Sequence, residues 1–553
     1  MGRRPRGLPI AFLVLFAPVS VGAQSVGAPP SQGLGFQDMA AFALPPFKDA
    51  PDTPLGRASA GLQVISRARR LGLDGRAASE AWRRAGAQLD QARAAADAVR
   101  QDGGGNVVVF EGERASELNR ALADARSLRI RVAKARLVVD EPLRIGRDGV
   151  RLDLGQTELV AAAGSSAPYM VKIEHVRGAS LVGGVFSGPG AGVLVSQSAR
   201  VVVADGRFEG LSGEGIVVTD SQGVVVWGNR LSALGRAGVL LHGATGESVV
   251  ADNDVHDNRG ASNWQAGVVV TDRNADLAGR PLNLFEQDGY WALAQPITSR
   301  LSTPRRNLVA FNRIARNRAS GVYFDGATEN VVAGNLIQGN AKEGMCLDNG
   351  STANTVALNT IEENGKRWGG SDEDLKRDFV AGFGRLADGS AAAKVPGLSL
   401  DNAAYNLVYG NEVLGNYGGG IKMVRTGYFN VVGLNTLVDN NRGRSDRFHF
   451  FGIEMGAAKA DAPAADLDFA PSRGNIVFSN LIRGPHYAGV FFAERSDRND
   501  LFDNSIFGAT NWAIESAVRQ DNATLNNLTN LPSRNAGPGL DSQLPALTAG
   551  HYD

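Results

Sequence analysis

Asparagine recurs at a fixed interval along much of the chain. Asn312, Asn335 and Asn359, then Asn411 and Asn435, then Asn480 and Asn504 keep a spacing of 23–24 residues wherever no insertion intervenes. The unit reads N-x-V-x-x-N-x-I-x-x-N, a loop, then G-V-x-φ-x with φ apolar. Asn330 to Ile337 leads in this way to Gly344-Met345-Cys346-Leu347-Asp348, and Asn406 to Val413 leads to Gly420-Ile421-Lys422-Met423. A unit this short cannot enclose a core alone, so neighbouring units must stack into a solenoid. Each unit holds three short runs of alternating apolar character, which predicts three strands per turn and three parallel sheets. The corner asparagines are expected to take left-handed backbone angles and to ladder their amides from turn to turn, and the glycine before the third strand to serve backbone freedom. That structural role outweighs a catalytic one for either residue type.

The repeats run from about residue 130 to 520, and residues 107–520 are expected to form the solenoid. Residues 2–7 carry three arginines, residues 8–17 are almost wholly apolar, and Val21-Gly22-Ala23 offers a small-residue cleavage site. This reads as a signal peptide over 1–23, cut after Ala23, and predicts a secreted or periplasmic protein. No later run is long and apolar enough for a membrane span. Residues 24–74 read as a poorly ordered leader, 75–106 as a helical segment of one or two helices, and 521–553 as a C-terminal cap or tail. An amphipathic stretch, Glu113–Arg126, is expected to plug the open end of the solenoid. Cys346 is the only cysteine, so packing and backbone hydrogen bonds must hold the fold without disulfides. Lys plus Arg equals Asp plus Glu, 57 each, so no global field draws the chain to nucleic acid.

Alternate residues of the G-V-x-φ-x strands point away from the core, and equivalents on successive turns stand about 4.8 Å apart. The fourth position after glycine reads Thr219, His242, Thr271, Asp325, Asp348, Asp401, Val424 and Gly456. The second reads Tyr323, Cys346, Ser399, Lys422 and Glu454, and Arg425 follows the Lys422 strand. One aspartate at a strand end is ordinary turn chemistry; three in register repel unless a cation, a shared proton or a basic group offsets them. Asp325, Asp348 and Asp401 are therefore candidate catalytic groups and candidate Ca²⁺ ligands, with Tyr323, Lys422, Arg425 and Glu454 as catalytic neighbours. Insertions at 273–306, 365–396 and 441–474 interrupt the repeat beside this column, where loops could wall a site. His242, Asp272, Trp264, Trp291, Trp368, His449, Asn349 and Asn402 are the candidate substrate contacts. For each aromatic, anchoring a loop is the competing role.

The repeats resemble the pectate-lyase-like superfamily of right-handed parallel β-helices, in particular the carbohydrate-binding and sugar-hydrolase repeat class shared with mannuronan C5-epimerases and NosD-type periplasmic proteins. The opening SELNRALADARS and VVDEPLRIGRDGVRLDLG is similar to the usual start of such folds, and the resemblance spans roughly residues 107–520. It implies an all-β solenoid with a capping helix and a polysaccharide or oligosaccharide as partner. Several reactions share the fold. A lyase would neutralise a uronate carboxylate, remove the C5 proton with Lys422 or Arg425 and assist the leaving oxygen with Tyr323. A glycoside hydrolase would use two carboxylates about 5–5.5 Å or 6.5–9.5 Å apart. A C5-epimerase would be expected to carry an Asp-Pro-His motif on this column, which is missing here, although His242, Tyr323 and Lys422 could supply acid and base. A non-catalytic glycan-binding rail has less need of opposite charges packed closely. The basic groups beside an acidic stack favour the lyase. Six scattered histidines and one cysteine show no zinc or copper spacing.

Overall fold

A computed structural model of the chain describes residues 75–530 apart from 102–105, 125–127, 165–166, 273–302, 380–381, 425–426, 444–449, 457–471, 494–495, 498, 517–522 and 526. The expected signal peptide and leader lie outside the described residues. Three strands per turn stack in parallel register. One ladder is a separate 13-stranded sheet; the other two join into a 27-stranded network, because the long strands Arg151–Ala161 and Ser180–Ser187 each belong to both. Parallel pairing continues to Leu528–Asn530, so solenoid strands extend past residue 520.

A single apolar core runs up the axis, from Ala115 to Ile514. In the 13-stranded sheet the inward pairs Val322/Phe324, Met345/Leu347, Leu398/Leu400, Ile421/Met423 and Ile453/Met455 are buried. Helix α1, Gly75–Arg100, is one continuous helix. Its Ala85, Leu89, Ala92 and Ala96 pack on the outer faces of five turns, from Val202 and Ala204 to Val331 and Ala333. Helix α2, Ala115–Asp124, buries Ala115, Leu118 and Leu122 against the first turns, as a terminal plug should.

Asparagine amides form three ladders. In the central one Asn253, Asn312, Asn335, Asn359, Asn411, Asn435, Asn480 and Asn504 pass a side-chain hydrogen bond from turn to turn at 2.8–3.0 Å. The expected backbone angles are corrected by one position. The left-handed residue is the one before the asparagine, such as Phe311 (φ 56°), Gly334 (φ 65°) and Leu358 (φ 57°). That residue makes the bend, which leaves the asparagine to turn its amide inward. The glycine before the third strand also has another cause. A Cβ on Gly344 would meet Ile361 Cγ2 at 2.4 Å and Asn364 Nδ2 at 2.7 Å, so space in the ladder demands it, not backbone freedom.

Insertion 365–396 holds a small antiparallel sheet, Lys366–Arg367, Phe383–Arg385 and Ala391–Ala393, and helix α3, Asp372–Asp378. Its anchor to the solenoid is Asp378, fully buried among Arg318, Arg367 and Arg377. A buried carboxylate requires such partners to offset its desolvation.

His486 is a buried imidazole whose Nε2 has no partner among the described residues, and burial pushes its pKa down to about 4. The neutral form is favoured in the fold, so this site contributes stability above pH 6.5 that is lost as pH falls toward 4. The difference is roughly 3 kcal/mol. Denaturant titrations at pH 7 and pH 4.5 should show His486→Leu losing less stability on acidification than the wild type. Equal losses would mean the ring meets its proton at no cost.

Candidate functional site

The two candidate columns lie on the outer face of the 13-stranded sheet, on strands whose phase is locked by the asparagine ladders. Thr271, Asp325 and Asp348 pair in register. Asp401 follows the register Met345↔Leu398 to Leu347↔Leu400 and stands beside Val424. In the second column Tyr323 pairs with Cys346, Cys346 with Ser399, Ser399 with Lys422 and Lys422 with Glu454.

The face is not uniformly open. Asp325 is 0% exposed and Tyr323 2%, whereas Asp348, Asp401, Lys422 and Glu454 are half-buried. The cover over Tyr323 includes Trp264, ring centroid 6.1 Å away, carried on the short 3₁₀ turn Asn263–Gln265. That turn is held by Lys342, whose Nζ donates to Asn263 Oδ1 at 3.1 Å, and burial lowers the Lys342 pKa. Glu343, next to it, accepts from Ser320 Oγ at 2.8 Å. Neither Lys342 nor Glu343 was singled out by the sequence reading. The signal lay in the two positions before the strand glycine, where Arg236 and Glu214 also pair at 3.0 Å.

Asp348 is the most constrained carboxylate. Its Oδ2 accepts the Tyr323 hydroxyl at 2.9 Å and its Oδ1 accepts the Asn349 amide at 2.7 Å. Burial first, then the charges of Asp348 and Asp325, push the Tyr323 phenol well above its ordinary value, so it stays protonated. Asn349 and Asn402 both have φ 51° and turn the chain after the aspartates. The Asn349 Nδ2 also approaches Tyr323 Oη at 3.5 Å. Asp272 lies against Gly326, where a Cβ would fall 2.7 Å from its Oδ1; with φ 67°, only glycine suits that turn. His242 stands two turns before Asp325, with Nδ1 3.1 Å from Thr219 Oγ1.

Lys422 Nζ and Glu454 Oε1 form an ion pair at 3.1 Å. Trp368 is 66% exposed, on the insertion. Arg425, Trp291 and His449 lie outside the described residues. One grouping expected from the sequence changes. Tyr323 and Lys422 are three turns apart, about 14 Å between backbones, too far to act as acid and base on one sugar. Among the described residues no three carboxylate, imidazole or thiol groups converge, and both Asp348 oxygens accept hydrogen bonds.

Two family models match stretches of the chain: a right-handed β-helix region over residues 160–279 and a periplasmic copper-binding protein, NosD, over 306–447. No curated protein matches. Solved structures with a similar course include the A-module of a mannuronan C-5 epimerase from Azotobacter vinelandii (14% identity, 79% of this chain and 94% of that one, TM-score 0.41). A DFA-IIIase from Arthrobacter chlorophenolicus A6, without its lid, matches at 14% identity over 73% and 93% (TM-score 0.41). An alginate lyase from Paenibacillus sp. str. FPU-7 matches at 14% over 70% and 98% (TM-score 0.32). With its strands stacked in parallel register from the first turns to Asn530, and both stretches matched, this chain is a right-handed parallel β-helix.

Proposed function

We propose that the chain is an exported carbohydrate-active enzyme that cleaves a uronate-containing polysaccharide by β-elimination. The observation that carries the reading is the Lys422–Glu454 ion pair, set one turn beyond Asp401 on the part of the column that solvent reaches. Lys422 neutralises the sugar carboxylate. Glu454, released from Lys422 as the substrate takes its place, removes the C5 proton. The C4–O bond breaks, its electrons leave with the oxygen, and the C5–H pair forms the C4=C5 double bond; the departing oxygen takes a proton from solvent. Asp348 lies two turns before Lys422 on the same face, and Tyr323 is buried one turn further back.

A second reading rests on Asp348 and Asp401. Adjacent turns place them near the 5–5.5 Å separation of a retaining glycoside hydrolase.

Incubation with acidic and neutral polysaccharides, with and without chelator, separates these. The lyase produces ultraviolet absorbance from unsaturated uronates together with new reducing ends, unaffected by chelator. Reducing ends without absorbance would replace it with the hydrolase, and neither signal on any glycan would leave a binding rail.

A further inference from the structure

A second chemical cluster lies at the opposite edge of the same strands. Trp368, on the insertion, has 66% of its surface exposed, and Lys366 Nζ sits 4.5 Å from its ring centroid. The same ammonium is 5.0 Å from the Tyr417 ring centroid, and the Arg442 guanidinium carbon lies 5.2 Å from that ring. The four residues come from three successive turns, so the cluster runs along the solenoid axis. Tyr417 precedes Lys422 by five residues, which puts the cluster at most about 18 Å along the chain from it.

An exposed indole face suits the apolar face of a sugar ring, and here it stands beside two cations and a second aromatic ring. Both cations are held ready by ion pairs, the half-buried Lys366 to Asp388 at 2.8 Å and the exposed Arg442 to Glu363 at 2.9 Å. An exposed pair such as that of Arg442 contributes little, so an incoming carboxylate can replace it at small cost.

We propose that Trp368, Lys366, Tyr417 and Arg442 form a ring-stacking subsite for an acidic sugar residue of the glycan, remote from the bond that is cleaved. The proposal rests on the polysaccharide reading above but not on its reaction. A glycan crossing the strands from this subsite reaches Lys422 and Asp401 a few sugar units later.

Calorimetric titration of the full chain with hexagalacturonate and hexamannuronate, and with cellohexaose as neutral control, tests it. At least one acidic hexamer should bind, more tightly than cellohexaose. Trp368→Ala should weaken it roughly three- to tenfold. Arg442→Ala should weaken the acidic hexamer while narrowing its advantage over the neutral one. Because Trp368 is exposed, thermal unfolding of its variant should match the wild type. Unchanged affinity in Trp368→Ala, equal affinity for the neutral hexamer, or no binding of any hexamer would overturn the subsite. Trp368-dependent binding without cleavage of any uronate polymer would instead sink the lyase and leave the subsite standing.

Discussion

Asn335→Ala is expected to cost at least about 3 kcal/mol of stability, the largest loss from any single exchange at a polar position of the repeat. Asn335 Oδ1 accepts from both the backbone N and the Nδ2 of Asn312 at 2.9 Å, and its own Nδ2 donates to Val309 O and Asn359 Oδ1, also at 2.9 Å. All of this is buried. Alanine leaves the Asn312 side-chain and backbone N–H donors and the Val309 carbonyl of the turn below without this partner, and removes one of the donors to Asn359 Oδ1; each unmet buried group costs about 1–3 kcal/mol. Because a solenoid's stability is a sum over neighbouring units, the damage should concentrate in adjoining turns. Chemical denaturation should show the drop, and hydrogen exchange should rise first at the amides of residues 312–359. A loss below 1 kcal/mol, or exchange rising evenly along the chain, would mean that the ladder is not what fixes the phase of the turns.

Glu454→Gln should lower turnover of the uronate polymer about 10²- to 10⁴-fold, the range for removing a general base, while leaving the fold intact. Glutamine keeps the shape and can still meet Lys422 through its amide oxygen, so the change isolates proton removal from packing. Glu454 is half-buried at the centre of a strand that pairs on both sides, and its backbone is undisturbed by the exchange. Asp348→Ala differs in kind. It removes the acceptor of the Tyr323 hydroxyl, so it should cost stability as well as activity. If Glu454→Gln turns over normally while Asp348→Ala is dead and folded, the reaction belongs to the carboxylate pair Asp348 and Asp401.

The repeat made the columns legible from sequence because a solenoid's register is local: once the asparagine phase is set, Tyr323, Cys346, Ser399 and Lys422 must stack. The same reasoning found the Lys422–Glu454 neighbours across an insertion. It placed the left-handed corner one residue late, because asparagine's tolerance of that conformation is only a tendency, and the position before it accommodates Phe311, Gly334 and Leu358 alike. Burial was not legible. What covers Tyr323 comes from a turn around Trp264, nearly sixty residues earlier, and its latch to Lys342 spans 79 residues. Nor does composition disclose that α1 lies along the outer sheet, where Arg100 meets Asp205 at 2.7 Å. Contacts that cross from inserted or flanking segments carry no period.

The central claim is that a glycan lies across the 13-stranded sheet with its reacting sugar at Lys422 and Glu454. A crystal structure of Glu454→Gln soaked with a hexauronate tests it most directly. The account predicts a sugar carboxylate against Lys422, C5 facing position 454, and the chain running toward Trp368. A hexauronate seated on either of the other two ladders, or one on this sheet with no sugar touching Lys422, would contradict it.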